Sequence, residues 1–301
     1  MRAARLRCRN YRAAPPLRAF WCFVPLRRIA TGCTGSGRSS SSRRGQCSQC
    51  SGGRGEIARA KQAPDLGDEA LRGARVYEDR DRADAQRGRG PRLTRGRAYE
   101  QRLRDHDALG LVRRRFGGLA RLRILDLGCG FGRLLGQFRD AGVPEQNLVG
   151  VDLAQSRIEA ARVLYPGIAF VHGNAAEIDL GDRMFDVAMM FTLMSSVRDD
   201  ELARKILRAT ERVLAPNGAI LWYDVRYPKP WEAHIRAMTK RRIRAIFSNY
   251  RLDVRSRTVL PPIADRLGVA TPIVYPVLDA LPVLRTHYLG LLTPRAPGDR
   301  D

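Results

Sequence analysis

The stretch Asp126-Leu-Gly-Cys-Gly-Phe-Gly132 follows an aliphatic run and sets three glycines at every second position around Cys129. Gly128, Gly130 and Gly132 let the backbone turn tightly and approach a ligand where a Cβ would collide. A helix starting behind them offers unpaired N–H groups at its N-terminus. The spacing departs from the dinucleotide fingerprint, which needs two residues between its second and third glycines. Asp152, twenty residues beyond Gly132, ends the run NLVGVDL. A carboxylate there can accept both hydroxyls of a ribose. A third run, IAFVHG, leads into Asn174-Ala175, where an amide and its neighbouring backbone can read the edge of an adenine. In this order and spacing, the three pieces describe a nucleoside site.

The elements that must hold them are read from the rhythm of the chain. From Arg121 onward, RILDLG, NLVGVDL, IAFVHG, FDVAMMF and GAILWYDV alternate with RLLGQFRDAG, SRIEAARVLY and DELARKILRATERVLA, whose apolar residues recur at helical spacing. Continuous apolar strands joined through helices predict a parallel sheet covered on both faces, an α/β doubly wound domain over residues 121–301. Residues 76–120 read as a helical cap or lid. After Val225 come a helix near TKRRIRAIF, a strand YRLDVRSRTVL, a proline-interrupted apolar insertion over 261–284 and a last strand RTHYLGLLT.

The charge is unevenly placed. The net charge is +23, yet residues 121–301 carry 26 Lys+Arg against 20 Asp+Glu, which leaves +17 for residues 1–120. Arginine outnumbers lysine 50 to 4, a bias better explained by codon composition than by selection for phosphate contacts. Residues 1–55 hold twelve arginines and no acid. That composition fits a disordered tail, an organellar transit peptide or translated sequence upstream of the true start, and the tail reading, over residues 1–75, is preferred. Five of six cysteines lie there, and Cys47-Ser-Gln-Cys50 lacks the second pair that a zinc site needs. Cys129, alone in the ordered region, excludes a disulfide framework there and fits a reducing, cytoplasmic setting. No run reaches the roughly 18 apolar residues of a membrane span. His106, His172, His234 and His287 show no ligand spacing, so no metal is expected.

The residues LDLGCGFG, VGVDL, HGNAAEI, FDVAMMF and VLAPNGAILWYD, in that order, resemble the class I S-adenosylmethionine-dependent methyltransferases, particularly the small-molecule type 11 group. WYDVRYPKP and LRTHYLGLL are similar to a bacterial subgroup often found in polysaccharide or glycolipid biosynthesis clusters. The resemblance implies a Rossmann-like sheet of seven strands with the last antiparallel, and S-adenosyl-L-methionine as cofactor. It implies that Asp126, Gly128, Gly130 and Gly132, with Cys129 between them, surround the methionine part. Asp152 would bind the ribose, Leu153 the adenine face, and Asn174 with Ala175 the adenine edge. Asn174 stands where the family usually has Asp. Phe191 and Thr192, leaving the fourth strand, would lie beside the sulfonium and the acceptor.

In the family topology the start of the last strand shares a sheet edge with the end of the fifth. His287 and Asp224 are therefore expected as neighbours, with His287, oriented by Asp224, acting as general base on an acceptor hydroxyl. In LWYDVRYPKPW, Tyr223, Arg226 and Tyr227 cross the same edge and are the expected acceptor contacts. The expected reaction is methyl transfer to an oxygen, before a nitrogen, of a small molecule or a sugar or lipid intermediate. An RNA acceptor and a noncatalytic cofactor-binding protein are the alternatives. FTLMSS after the fourth strand differs from the Pro-Pro-aromatic turn of amino-methylating enzymes, which argues against nucleic acid as partner.

Overall fold

The computed structural model describes residues 68–86, 93–228, 232 and 234–295. Residues 1–67 of the expected tail, with its cysteines, and Pro230 and Trp231 lie outside the described residues. Nine α-helices occur among them: α1 (Asp68–Gln86), α2 (Arg95–Phe116), α3 (Arg133–Asp140), α4 (Gln155–Leu164), α5 (Leu193–Ser196), α6 (Asp200–Val213), α7 (Lys240–Ile246), α8 (Pro261–Arg266) and α9 (Thr271–Asp279). The strands are β1 (Ile124–Leu127), β2 (Leu148–Asp152), β3 (Ala169–His172), β4 (Phe185–Phe191), β5 (Leu214–Val225), β6 (Tyr250–Val259) and β7 (Arg285–Pro294).

They form one seven-stranded sheet in the order β3-β2-β1-β4-β5-β7-β6, with β7 antiparallel to both β5 and β6. The parallel strands are mostly apolar because both faces are covered. One face packs Leu125, Leu127, Met190 and Trp222 under α6 and α7. The other packs Ile124, Met189, Leu221 and Tyr223 under α2, α3 and α4. No helix among the described residues is long and apolar enough to cross a membrane.

Two helices precede the sheet. α1 begins at Asp68, inside the stretch assigned to a disordered tail, because acids in its first turn meet basic side chains one turn on: Glu69 pairs with Arg72 at 2.6 Å. It crosses the carboxyl edge of the sheet, tied to the loop after α5 by Arg198 N–H donating to Glu69 (2.9 Å) and to α4 by Arg157 donating to Asp81 (2.6 Å). α2 starts at the Thr94 cap, whose hydroxyl accepts from Arg97 N–H at 3.2 Å, and stops at Gly117, which adopts φ +71°. Its buried Asp105 binds both Arg104 and Arg133, fastening α2 to the start of α3.

Candidate functional site

The three glycines of the first turn all adopt positive φ: Gly128 +75°, Gly130 +55° and Gly132 +72°. The turn is pinned from below. Gly128 and Cys129 donate their N–H groups to Val151 O at 2.8 and 3.0 Å, and Gly130 N–H donates to Asp152 Oδ2 at 2.8 Å. Asp152 Oδ1 accepts from Ala154 N–H at 2.9 Å, so the carboxylate at the end of β2 braces two loops. Each of its oxygens keeps a further lone pair for a donor from outside.

At this edge a cavity of about 130 Å³ opens over the ends of β1, β2, β3 and β4. Gly128, Asp152, Leu153, Asn174, Ala175, Phe191 and Thr192 line it. Asn174 is buried, and its Oδ1 accepts from Ala176 N–H at 3.0 Å. The remaining wall comes from residues without a motif. Tyr77 of α1 and Arg157 of α4 stack with the guanidinium carbon 4.7 Å from the ring centroid. The Tyr77 hydroxyl meets Ser196 Oγ at 2.5 Å, and Ser196 Oγ donates to Thr192 O at 2.6 Å.

A second cavity, about 230 Å³, adjoins the first and shares Tyr77 and Thr192 with it. Its floor is Tyr223, Val225 and His287 on one face of the sheet, and its roof is Arg97, Glu100, Gln101 and Arg104 of α2. The Arg104 guanidinium sits over the Tyr223 and Phe191 rings, 5.0 and 5.5 Å from their centroids. Glu100 accepts from Arg97 at 2.8 Å and from the Tyr275 hydroxyl at 3.1 Å. Burial, opposed by Arg97, pushes its carboxyl up to about 7.

Thr192, between the two cavities, holds φ +56°, a left-handed conformation that a β-branched residue pays for. Its N–H donates to Tyr223 O at 2.7 Å, which keeps the turn from relaxing.

A protein-family model described as a methyltransferase domain matches residues 124–218, the segment that carries the glycine turn, Asp152, Asn174 and Thr192. Residues 124–218 carry the methyltransferase domain which that model describes. A magnesium protoporphyrin IX methyltransferase from Synechocystis, solved with bound S-adenosylhomocysteine, superposes with a TM-score of 0.54 at 13% identity, over 76% of this chain and 100% of that one, which shows the fold. Among curated proteins, an uncharacterised methyltransferase of Synechocystis is 26% identical over 36% of this chain and 50% of its own length. A demethylmenaquinone methyltransferase of Chlorobaculum tepidum is 28% identical over 53% of this chain and 58% of its own. The chain thus spans about half the length of the curated relatives it matches.

Several expected contacts lie elsewhere. Cys129 turns its sulfur under the loop, so close to Gly150 that a Cβ added there would stand 2.8 Å from Sγ. Burial raises its thiol well above the ordinary range. Asp126, Gly130 and Gly132 shape the turn without lining the cavity; Gly132 faces the Phe170 ring. Asp126 is buried, its Oδ1 has no hydrogen-bond partner among the described residues, and burial together with the nearby Asp152 pushes its carboxyl up to about 8.

The Asp224–His287 pairing is overturned by register. Val225 stands opposite His287 and Asp224 opposite Tyr288, so pleat alternation sends the two side chains to opposite faces. Asp224 is buried beside α5, accepting from Ser195 N–H at 3.1 Å, and burial, eased by that bond, pushes it up to about 6. His287 instead shares a 2.9 Å hydrogen bond between Nδ1 and Thr286 Oγ1. Arg226 also leaves the second cavity: it donates to Pro282 O at 3.3 Å and lies 4.7 Å over the Tyr227 ring. Tyr227 lines a neighbouring cleft rather than the cavity itself. Tyr223 stays on the floor, but its hydroxyl is engaged by Thr258 Oγ1 at 2.8 Å.

Proposed function

We propose that this chain is an S-adenosylmethionine-dependent methyltransferase acting on a hydroxyl oxygen of a small-molecule acceptor. The observation that carries the reading is the junction of two cavities at Thr192 and Tyr77, one shaped for a nucleoside and one floored by Tyr223 and His287. The residues fit the cofactor. Asp152 has acceptor capacity for ribose hydroxyls, and Leu153 and Asn174 border the adenine position.

S-adenosylmethionine, when bound, supplies a methyl group on a sulfonium with a good leaving group, so alignment of the two reactants does much of the catalytic work. The chain's own contribution is to hold the acceptor. Tyr223, Phe191 and Arg104 form a planar wall, and His287 takes the proton from the acceptor hydroxyl. Asp224 positions the α5 turn and has no part in that proton transfer. Relatives named for demethylmenaquinone support a small-molecule acceptor. A sugar or lipid intermediate remains our preferred class.

The test is turnover. Incubating the full chain with S-adenosylmethionine and a library of hydroxylated sugars, lipids and phenols should yield a product heavier by one methyl. A chain that binds the cofactor yet methylates no member of a broad library, its own lysate extract included, would count as a noncatalytic binder.

A further inference from the structure

The hydrogen bonds around His287 fix which of its nitrogens carries the proton. Thr286 Oγ1 lies 3.1 Å from Thr258 O and 2.9 Å from His287 Nδ1. A hydroxyl has one hydrogen to donate, and a carbonyl oxygen can only accept. The Thr286 hydrogen therefore goes to Thr258 O, and the bond to Nδ1 must be made by a hydrogen on the imidazole. Were the hydroxyl to donate to Nδ1 instead, oxygen lone pairs would face each other at 3.1 Å between two buried residues, and the carbonyl would lose this donor.

The carbonyl that sets this direction belongs to a strained residue. Thr258 holds φ +70°, a left-handed conformation unfavourable for a β-branched side chain. The pairing of β6 with β7 steps over it, since Arg257 stands opposite His287 and Val259 opposite Arg285. From there its carbonyl takes the Thr286 hydroxyl, and its own Oγ1 shares a 2.8 Å hydrogen bond with the Tyr223 hydroxyl. Both bonds serve the two rings stacked at the floor of the second cavity. His172 supplies a contrast: its Nε2 lies 2.9 Å from Leu153 O, and a carbonyl in that place requires the hydrogen on Nε2.

We propose that Thr286, oriented by the Thr258 carbonyl, is a positioning residue that holds neutral His287 in the Nδ1–H tautomer and so keeps its lone pair on Nε2. The catalytic consequence rests on His287 being the base of the proposed reaction. The acceptor's hydroxyl proton passes to Nε2 as an electron pair of that oxygen forms the bond to the methyl carbon, and the pair of the broken carbon–sulfur bond stays on sulfur. The imidazolium keeps its Nδ1–H on Thr286 Oγ1, so the network has the same polarity before and after the transfer and nothing has to reorient. Neutral histidine in water prefers its hydrogen on Nε2. Without the threonine pair the lone pair would lie mainly on the nitrogen that cannot serve.

The test is a long-range proton–nitrogen correlation spectrum of the full chain labelled with nitrogen-15 histidine, at about pH 9, where imidazole is ordinarily neutral. His287 is assigned by the signals lost in His287→Gln. The wild type should show His287 protonated on Nδ1 and bare on Nε2, with His172 the reverse. Thr286→Val keeps the branched shape without the hydroxyl. It should turn His287 to the Nε2–H form and lower kcat about tenfold on the library member that gains a methyl, with KM for S-adenosylmethionine unchanged. Thr286→Ser, which returns the hydroxyl, should restore both. An Nε2–H signal from wild-type His287 overturns the proposal, and that spectrum decides even if Thr286→Val does not fold. So does a Thr286→Val protein that keeps the wild-type tautomer, or that changes it with no loss of turnover. If no library member is methylated, the methyl-transfer reading fails while the tautomer stands or falls on the spectra.

Discussion

The imidazole of His287 lies flat against the phenol ring of Tyr223, with centroids 4.8 Å and planes 3° apart. Around that stack runs a ring of hydrogen bonds: the Tyr223 hydroxyl to Thr258 Oγ1, Thr286 Oγ1 to Thr258 O, and Thr286 Oγ1 to His287 Nδ1. The orientation of the imidazole is thus set by three neighbouring strands. His287→Ala should lower kcat by about 10²- to 10⁴-fold with S-adenosylhomocysteine affinity unchanged. Unchanged turnover would mean that alignment alone carries the reaction. Tyr223→Phe keeps the stack and should retain most activity, while destabilising the fold by about 1 kcal/mol in urea unfolding, because Thr258 loses its partner.

Asp126 makes stability depend on pH. The folded protein keeps on Asp126 a proton that the unfolded chain releases near its ordinary value of 3.8, since the folded value is pushed up to about 8 by burial and then by Asp152. The native state therefore binds more protons between these limits, and stability falls as pH rises through them. Asp126→Asn should flatten that fall in thermal unfolding between pH 5 and 8.

Thr192 occupies a left-handed conformation at φ +56°. Asn tolerates that region better, so Thr192→Asn should raise the unfolding free energy by about 1 kcal/mol, read from the urea midpoint. Turnover should fall at the same time, because the residue stands where the two cavities meet. A variant both less stable and fully active would refute the strain argument.

Gly132 is required on two counts, φ +72° and a Phe170 ring carbon 2.6 Å from where a Cβ would sit. Gly132→Ala should cost about 3 kcal/mol in urea unfolding, combining the backbone and overpacking terms.

The strands were legible because a strand buried on both faces cannot hide: FDVAMMF becomes β4 with five of its seven residues buried. β5 begins at Leu214, earlier than its apolar run at Gly218, because Pro216 and Asn217 read as a turn; only pairing with Phe185 across a register shift makes them strand. That Asp152, Asn174 and Thr192 share one cavity was legible because each ends or closely follows a strand, and strand ends share one edge of an α/β sheet. The Asp224–His287 pairing failed because sharing an edge says nothing of which face a side chain takes; that needs the register of two strands. Tyr77, Arg97, Glu100 and Arg104 carry no motif. The one available signal was Tyr77, the single aromatic in the otherwise charged α1.

The central claim is that S-adenosylmethionine binds at the carboxyl edge of β1 to β4 through Asp152. Calorimetric titration of the full chain with S-adenosylmethionine, wild type against Asp152→Ala, tests it most directly. The account predicts saturable one-to-one binding by the wild type and a loss of affinity of about 100-fold in the variant, the scale of hydrogen bonds to a charged group. No binding by the wild type, or equal binding by both, would contradict it.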